Sequence, residues 1–382
     1  MTTKTTNNGP TTLDPLNIVA LSAYHAPSHR RWLQGLSSTL PHHFHVFTQP
    51  PRHFSWRSRG NSLSFAFDAE LANTRADRVV ATSMVDLAGL RGLLPSLARV
   101  PTVVYFHENQ FAYPTRHNKQ DANLLLTNLY TALAADRVIF NSSHNRRTFL
   151  DGANHFLSKM PDQVPRGVVD TIDRRSTVLP VPLDDSLFDT AAPSRGGDGP
   201  LRILWNHRWE HDKAPERFFG ALFSLAERYE FRLVVLGQQF RNHPPIFAQA
   251  RARLADRIDQ WGWVEDRAQY VEWLRRSDVV VSTALHEFQG LAVQEAVAMG
   301  CIPVVPDRLA YPDFFASEFL YPSHADEPES DVAALSAHLE PLLADPEALR
   351  AESAPDLSHL RWSVLGADYD RELRALEGRS DF

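Results

Sequence analysis

The chain has 382 residues, 43 % hydrophobic and 22 % charged, with a formal net charge of −7. That length exceeds one ordinary core and suits two domains. The charge excludes a protein that coats nucleic acid by bulk charge alone, though not one with a local basic patch. A single cysteine, Cys301, allows no intramolecular disulfide, and no apolar run approaches the roughly 20 residues that span a bilayer. A cytoplasmic protein with no membrane partner is therefore expected.

Residues 1–15 lack the apolar stretch of a signal peptide and are expected to form a disordered tail. Short β-branched runs at 17–23, 44–49, 78–83, 102–108, 137–143 and 176–182 predict strands, with helical patterns between them, as at 121–135 and 144–158. The stretch "TAAPSRGGDGP", 190–200, has the composition of a linker. The alternation restarts at 201–207, 231–237, 258–264, 278–284 and 301–307. Apolar strands alternating with helices predict parallel sheets covered on both faces. The expected architecture is α/β: two doubly wound, Rossmann-like domains, 16–189 and 201–360, facing a central cleft. Residues 361–382 are expected to form a helix, with a return onto the first domain open to it.

Parallel open sheets bind ligands beyond the carboxyl ends of their strands, so the loops there carry the candidate chemistry. The first, "SAYHAPSHRRWLQG" (22–35), lacks Gly-x-Gly-x-x-Gly, which weakens a dinucleotide reading; Ser28 is placed to cap the next helix. In 50–65, Arg52, His53, Trp56, Arg57 and Arg59 interleave cations with rings, the pattern of phosphate contact plus base stacking. A solvated loop explains the same residues. In 105–118, His107, Glu108, Asn109 and Gln110 offer a sugar donors and acceptors; a capping loop is the alternative.

In "LWNHRWEHDKAPERFF" (204–219), Arg208 and Lys213 lie on a loop entering a helix whose first turn holds Pro215. They suit a diphosphate, the arginine by its fork and the lysine as a point charge. A solvated charged loop is the alternative, and the crowded rings Trp205, His207, Trp209 and His211 weigh against it. In "TALHEFQGLAVQEAVAMGCIPVVP" (283–306), Gly290 and Leu291 would present free amides at a helix N-terminus, which suits phosphate. Glu287 precedes that helix and Glu295 lies within it. Either carboxylate can accept a vicinal diol; dipole capping and an ordinary surface acid explain them equally well. No histidine pair has metal-ligand spacing with a partner acid, so no metal is expected.

Taken together, the acid pair in "HEFQGLAVQE" with Arg208 and Lys213 ahead of it resembles the retaining GT-B glycosyltransferases of the large family-four group. The stretches "FSWRSR", "FHENQFAYP", "VIFNSSHN", "LWNHRWEHDKAPE" and "STALHEFQGLAVQEAVAMGCIPVVPDRLAYP" resemble more closely the tRNA-queuosine mannosyltransferase family, over residues 17–321, with an echo in "LRWSVLGADYDREL". The resemblance implies GDP-mannose as donor, queuosine-bearing tRNA as acceptor, no cofactor and no obligate protein partner. It assigns Glu287 to the donor sugar's hydroxyls, Glu295 to the ribose, Arg208 and Lys213 to the leaving diphosphate, Gly290 and Leu291 to its amide site, and His107 to the reacting sugar. Base contacts are expected near Trp263 and Val264. The acceptor is expected at Arg52, Trp56, Arg57, Arg59, Glu108, Asn109 and Gln110. One departure stands out: where relatives carry Gly-Gly in the first loop, this chain has Ala26-Pro27, and proline has no amide and a constrained φ. A transferase acting on a small metabolite or lipid head group, and a non-catalytic nucleotide-sugar or RNA-binding module, stay open as alternatives.

Overall fold

The described residues of the first half form six strands: β1 (Asn17–Ser22), β2 (His43–Thr48), β3 (Arg78–Thr82), β4 (Thr102–Phe106), β5 (Arg137–Phe140) and β6 (Ser176–Val178). In β1 every side chain after Asn17 is buried, and all of β4 is. A strand buried on both faces needs cover on both, and the intervening helices supply it. The second half repeats the plan with β7 (Leu201–Asn206), β8 (Phe231–Leu236), β9 (Ile258–Gly262), β10 (Val279–Val281), β11 (Ile302–Pro306) and β12 (Leu320–Tyr321). The computed structural model describes residues 14–113, 121–189, 199–240 and 242–376; most of the expected tail, linker residues 190–198 and the last six residues lie outside the described residues.

Both sheets are parallel throughout, in the orders β2-β1-β3-β4-β5-β6 and β12-β11-β10-β7-β8-β9. The fold is GT-B: two doubly wound domains. In the second sheet the winding reverses between β7 and β10, and a ligand crevice opens at such a switch point. The loops after those two strands hold Arg208, Lys213, Glu287 and Gly290, so the topology itself gathers them.

Two local expectations need correction. Residues 54–66 are not a loop but a helix, Phe54–Ala66, entered through His53 at φ 56°. Ser28 does not cap; Ala26 is the N-cap residue of the helix Pro27–Thr39, and Pro27 opens it. Proline's missing N–H costs nothing there, because first-turn amides have no intrahelical partner. Ala26-Pro27 is thus a helix start.

The helix Trp362–Arg374 lies on the first domain, against Pro27–Thr39. Trp32 Nε1 donates to Tyr369 Oη at 3.1 Å, and Arg78 donates to the carbonyls of Leu373 and Leu376, each at 2.9 Å. Gly35 faces the indole of Trp362, where any Cβ would collide.

Candidate active site

In the second domain the loop after β7 is shaped by its neighbours. His211–Lys213 is one short 3₁₀ turn, and Ala214 takes a left-handed conformation (φ 44°) before Pro215 starts the helix Pro215–Leu225. Thr283 Oγ1, just beyond β10, donates to the carbonyl of Lys213 at 2.8 Å. This aims Lys213, which is buried, at the next loop. Its Nζ donates to the His286 carbonyl at 2.6 Å and lies 3.3 Å from Glu287 Oε2 and 3.2 Å from Asp212 Oδ2. Burial alone would lower the lysine's pKa; Glu287 and Asp212 outweigh it and raise it. Burial would raise Glu287, but Lys213, His207 and His286 hold it at about 2, so it is ionised at any working pH.

His207 and His286 flank this pair. Burial, aided by Lys213, pushes each down to about 4, so both are neutral at pH 7. Each keeps a buried Nε2 without a hydrogen-bond partner. Their folded values lie below the ordinary 6.5, so their stabilisation is complete above about pH 6.5 and is lost as pH falls toward 4. For His207 the linkage is on the order of 3 kcal/mol. Urea midpoints should fall clearly between pH 7 and 4.5; an unchanged midpoint would remove this account of the two rings.

Arg208 is about half exposed, with Nη2 3.0 Å from Glu210 Oε2. Its neighbours Glu210, Tyr113, Asp212 and Glu287 outweigh desolvation and stabilise its charge. The rings that crowd its loop have another explanation. Trp205 and Trp209 are core, Trp209 stacked on Phe247 at 3.9 Å with 2° between the planes, while His211 is exposed. Their density reports packing rather than ligand contact.

The stretch from His286 to Gly290 divides its labour residue by residue. The His286 carbonyl and the Glu287 carboxylate take Lys213. Gln289 is buried and clamps the other domain, accepting from Val181 N and donating to Val181 O, both at 2.9 Å. Gly290, at φ 84°, caps the helix Leu291–Ala298, and the ring of Tyr311 closes over it. Glu295 is buried in that helix. It receives Arg267 and Arg31 on Oε1, each at 2.9 Å, and Tyr270 on Oε2 at 2.7 Å. Sequence reading found the acid but missed its three partners, which lie far from it in the chain.

The first domain brings up the loop after β4. His107 is buried; its ring stacks on His29 (4.2 Å between centroids) and meets Trp32 edge-on at 4.8 Å. Burial and His29 push its pKa well below the ordinary range, so it is neutral. Its Nε2 has no hydrogen-bond partner. Glu108 Oε2 lies 3.3 Å from His29 Nε2; burial would raise this acid, but His29, His286 and Arg208 lower it. The Tyr113 ring meets His286 at 4.8 Å, which brings this loop against the lysine–glutamate pair of the second domain. His29 was missed in the sequence, since it sits inside a helix and only the fold stacks it on His107.

Other predicted residues fall elsewhere. Asn109 is fully buried and its amide is spent on Asn145 and Thr148, while Gln110 is buried near Met84. Both are held within the first domain by these contacts. Trp56 and Arg59 are exposed on the helix Phe54–Ala66, Arg59 paired with Asp121; Arg57 reaches Gln49 at 3.2 Å, and Arg52 is exposed just before that helix. Trp263 is 58 % exposed after Gly262, and Val264 packs inward against the core. Among the described residues, no three His, Cys, Asp or Glu side chains are grouped to hold a metal, and no helix is long and apolar enough to cross a membrane.

With this geometry in view, likeness to known proteins is informative. The family described as tRNA-queuosine alpha-mannosyltransferase N-terminal matches residues 17–183, and that described as Glycosyl transferases group 1 matches 192–354. The tRNA-queuosine alpha-mannosyltransferase of Drosophila melanogaster is 34 % identical over 316 residues, covering 80 % of this chain and 83 % of that one. Among solved structures, sucrose-phosphate synthase from Thermosynechococcus elongatus superposes with a TM-score of 0.64 at 16 % identity, covering 94 % of each chain. A glycosyltransferase from Rickettsia africae gives 0.65 at 14 % identity, covering 95 % of this chain and 99 % of that one. At such identities these two speak for the fold alone.

Proposed function

Since the chain belongs to the tRNA-queuosine alpha-mannosyltransferase family and is a glycosyltransferase, we propose that it moves mannose from GDP-mannose to queuosine in tRNA, with retention, without a metal, in the cytoplasm. The observation that carries the chemistry is the buried Lys213–Glu287 pair at the switch point, with Arg208 beside it and the His107 loop opposite. Glu287, ionised, accepts the sugar's hydroxyls and does not act as an acid. His107, neutral, faces the sugar as a hydrogen-bond partner. The bond from the sugar's anomeric carbon to the diphosphate breaks on the face where the acceptor oxygen attacks. The leaving diphosphate takes the acceptor's proton. Lys213, Arg208 and the amides of Gly290 and Leu291 stabilise the charge growing on it, the kind of preorganised electrostatics that often dominates catalysis. Glu295 is assigned to the ribose, and the backbone near Trp263 and Val264 to the base.

The test is GDP release. GDP-mannose should be consumed when queuosine-bearing tRNA is added and not with tRNA lacking queuosine; equal release with both would reject the acceptor. Turnover should persist in excess chelator, and a loss restored by magnesium would reject the metal-free mechanism.

For the acceptor surface, Trp56, Arg57 and Arg59 on one helix supply a stacking ring and two cations. Replacing all three with alanine should weaken tRNA binding about tenfold and flatten its salt dependence by roughly one to two charges, leaving GDP affinity unchanged. An unchanged affinity and salt slope would place the tRNA elsewhere.

A further inference from the structure

Glu295 in this structure has four donors on two oxygens. Arg31 Nη1 and Arg267 Nη2 donate to Oε1 at 2.9 Å each; Tyr270 Oη donates to Oε2 at 2.7 Å and Arg267 Nη1 at 3.3 Å. A carboxylate offers about four lone-pair sites, so this one is full. A ribose diol brings two more hydroxyl donors. A Glu295 that takes the ribose must release a partner it now holds.

The geometry says which one. Arg267 binds by two nitrogens and its guanidinium lies over the Tyr270 ring, 4.8 Å from the centroid. Tyr270 takes a second bond from Asn206 Nδ2 at 2.7 Å. Both belong to the same domain as Glu295. Arg31 comes from the other domain, on the helix Pro27–Thr39. It contributes one bond, and its side chain is 58 % exposed. Glu295 is also its single ion-pair partner among the described residues.

We infer that Arg31 is an interdomain latch that the donor's ribose displaces: its ion pair with Glu295 ties the first helix of the acceptor-side domain to the donor-side domain and competes with the nucleotide for the same carboxylate. The inference rests on the assignment of Glu295 to the ribose in the proposed function. It makes Arg31 a positioning residue, acting through Glu295. His29 sits two residues earlier on the same helix, stacked on His107, so loading the donor is mechanically joined to the helix that supports the reacting end of the cleft.

The test is calorimetric titration of GDP into the full-length protein and four variants. Arg31→Met removes the competitor and should tighten GDP by about two- to fivefold, the range of an exposed ion pair. Arg31→Lys keeps a competing charge and should stay near wild type. Glu295→Ala should weaken GDP by tenfold or more. In the Glu295→Ala background, Arg31→Met should have no further effect, so that the two positions are fully coupled, which a merely structural role would not produce. GDP affinity unchanged or weakened in Arg31→Met overturns the latch, and so does equal tightening in the Glu295→Ala background. Should Glu295→Ala leave GDP affinity untouched, the ribose assignment fails and the latch with it. Should Glu295→Ala weaken GDP while Arg31→Met does not tighten it, the latch alone fails.

Discussion

Lys213→Ala should lower kcat by about a thousandfold while the protein still folds. Removing one preorganised donor to a developing anion commonly costs two to three orders of magnitude, and Lys213 is the buried member of the basic pair. Its replacement also leaves Glu287 and Asp212 without their shared counter-charge. Unpairing buried charges costs stability, roughly 3–5 kcal/mol when both partners are fully desolvated. Here the two acid side chains keep about a fifth of their surface exposed (22 % and 19 %), so water offsets part of that cost. Lys213→Arg separates the effects: the charge and most of the stability return, but the bulkier fork does not fit the turn held by Thr283. Its kcat should remain depressed by at least tenfold. The measurements are initial rates of GDP release and thermal melts on the same preparations. A Lys213→Ala enzyme within tenfold of wild-type kcat would contradict the role given to this residue.

Gly237→Ala should be nearly as damaging by a different route. Gly237 follows β8 with φ 128°, a region closed to side chains. A Cβ there would overlap the carbonyl oxygen of His207, backbone rather than a yielding side-chain tip. To relieve the overlap the loop after β7 must move, and Arg208 moves with it. Strained backbone costs about 1–3 kcal/mol before the overlap is counted, so a stability loss of about 3 kcal/mol or more is expected. Surviving folded protein should bind GDP at least several-fold more weakly. A variant with the wild-type melting temperature and GDP affinity would show that the glycine is not required.

The periodic parts of the molecule were legible in the sequence for a physical reason. A strand buried on both faces must be a short apolar run, as in β1, β4 and β11, and of the twelve strands among the described residues β12, two residues long, leaves no such run. Arg208, Lys213 and Glu287 stood out because they follow the apolar strands β7 and β10 closely in the chain, where open parallel sheets place their ligand loops. What stayed hidden depends on pairing across long separations. Arg31 and Glu295 are 264 residues apart, and nothing local in "PSHRRWLQG" announces that one of its arginines crosses the cleft. Nothing in "HEFQG" announces that Gln289 bonds to Val181 of the other domain. The bond from the Asn109 amide to Asn145, 36 residues away, was equally invisible, because a buried amide and a ligand-facing one look alike in sequence. The helix Phe54–Ala66 was obscured by its alternation of charge, glycine and serine, a composition that also suits loops.

The measurement closest to the central claim is product analysis. The protein would be incubated with GDP-mannose and tRNA carrying queuosine, the tRNA digested to nucleosides, and these separated and weighed by mass spectrometry. The account predicts that queuosine disappears in favour of a nucleoside heavier by one hexosyl unit, bearing an α-linked mannose that an α-mannosidase removes. Unmodified queuosine after complete incubation with an enzyme that binds GDP, or a β-linked product, would contradict it.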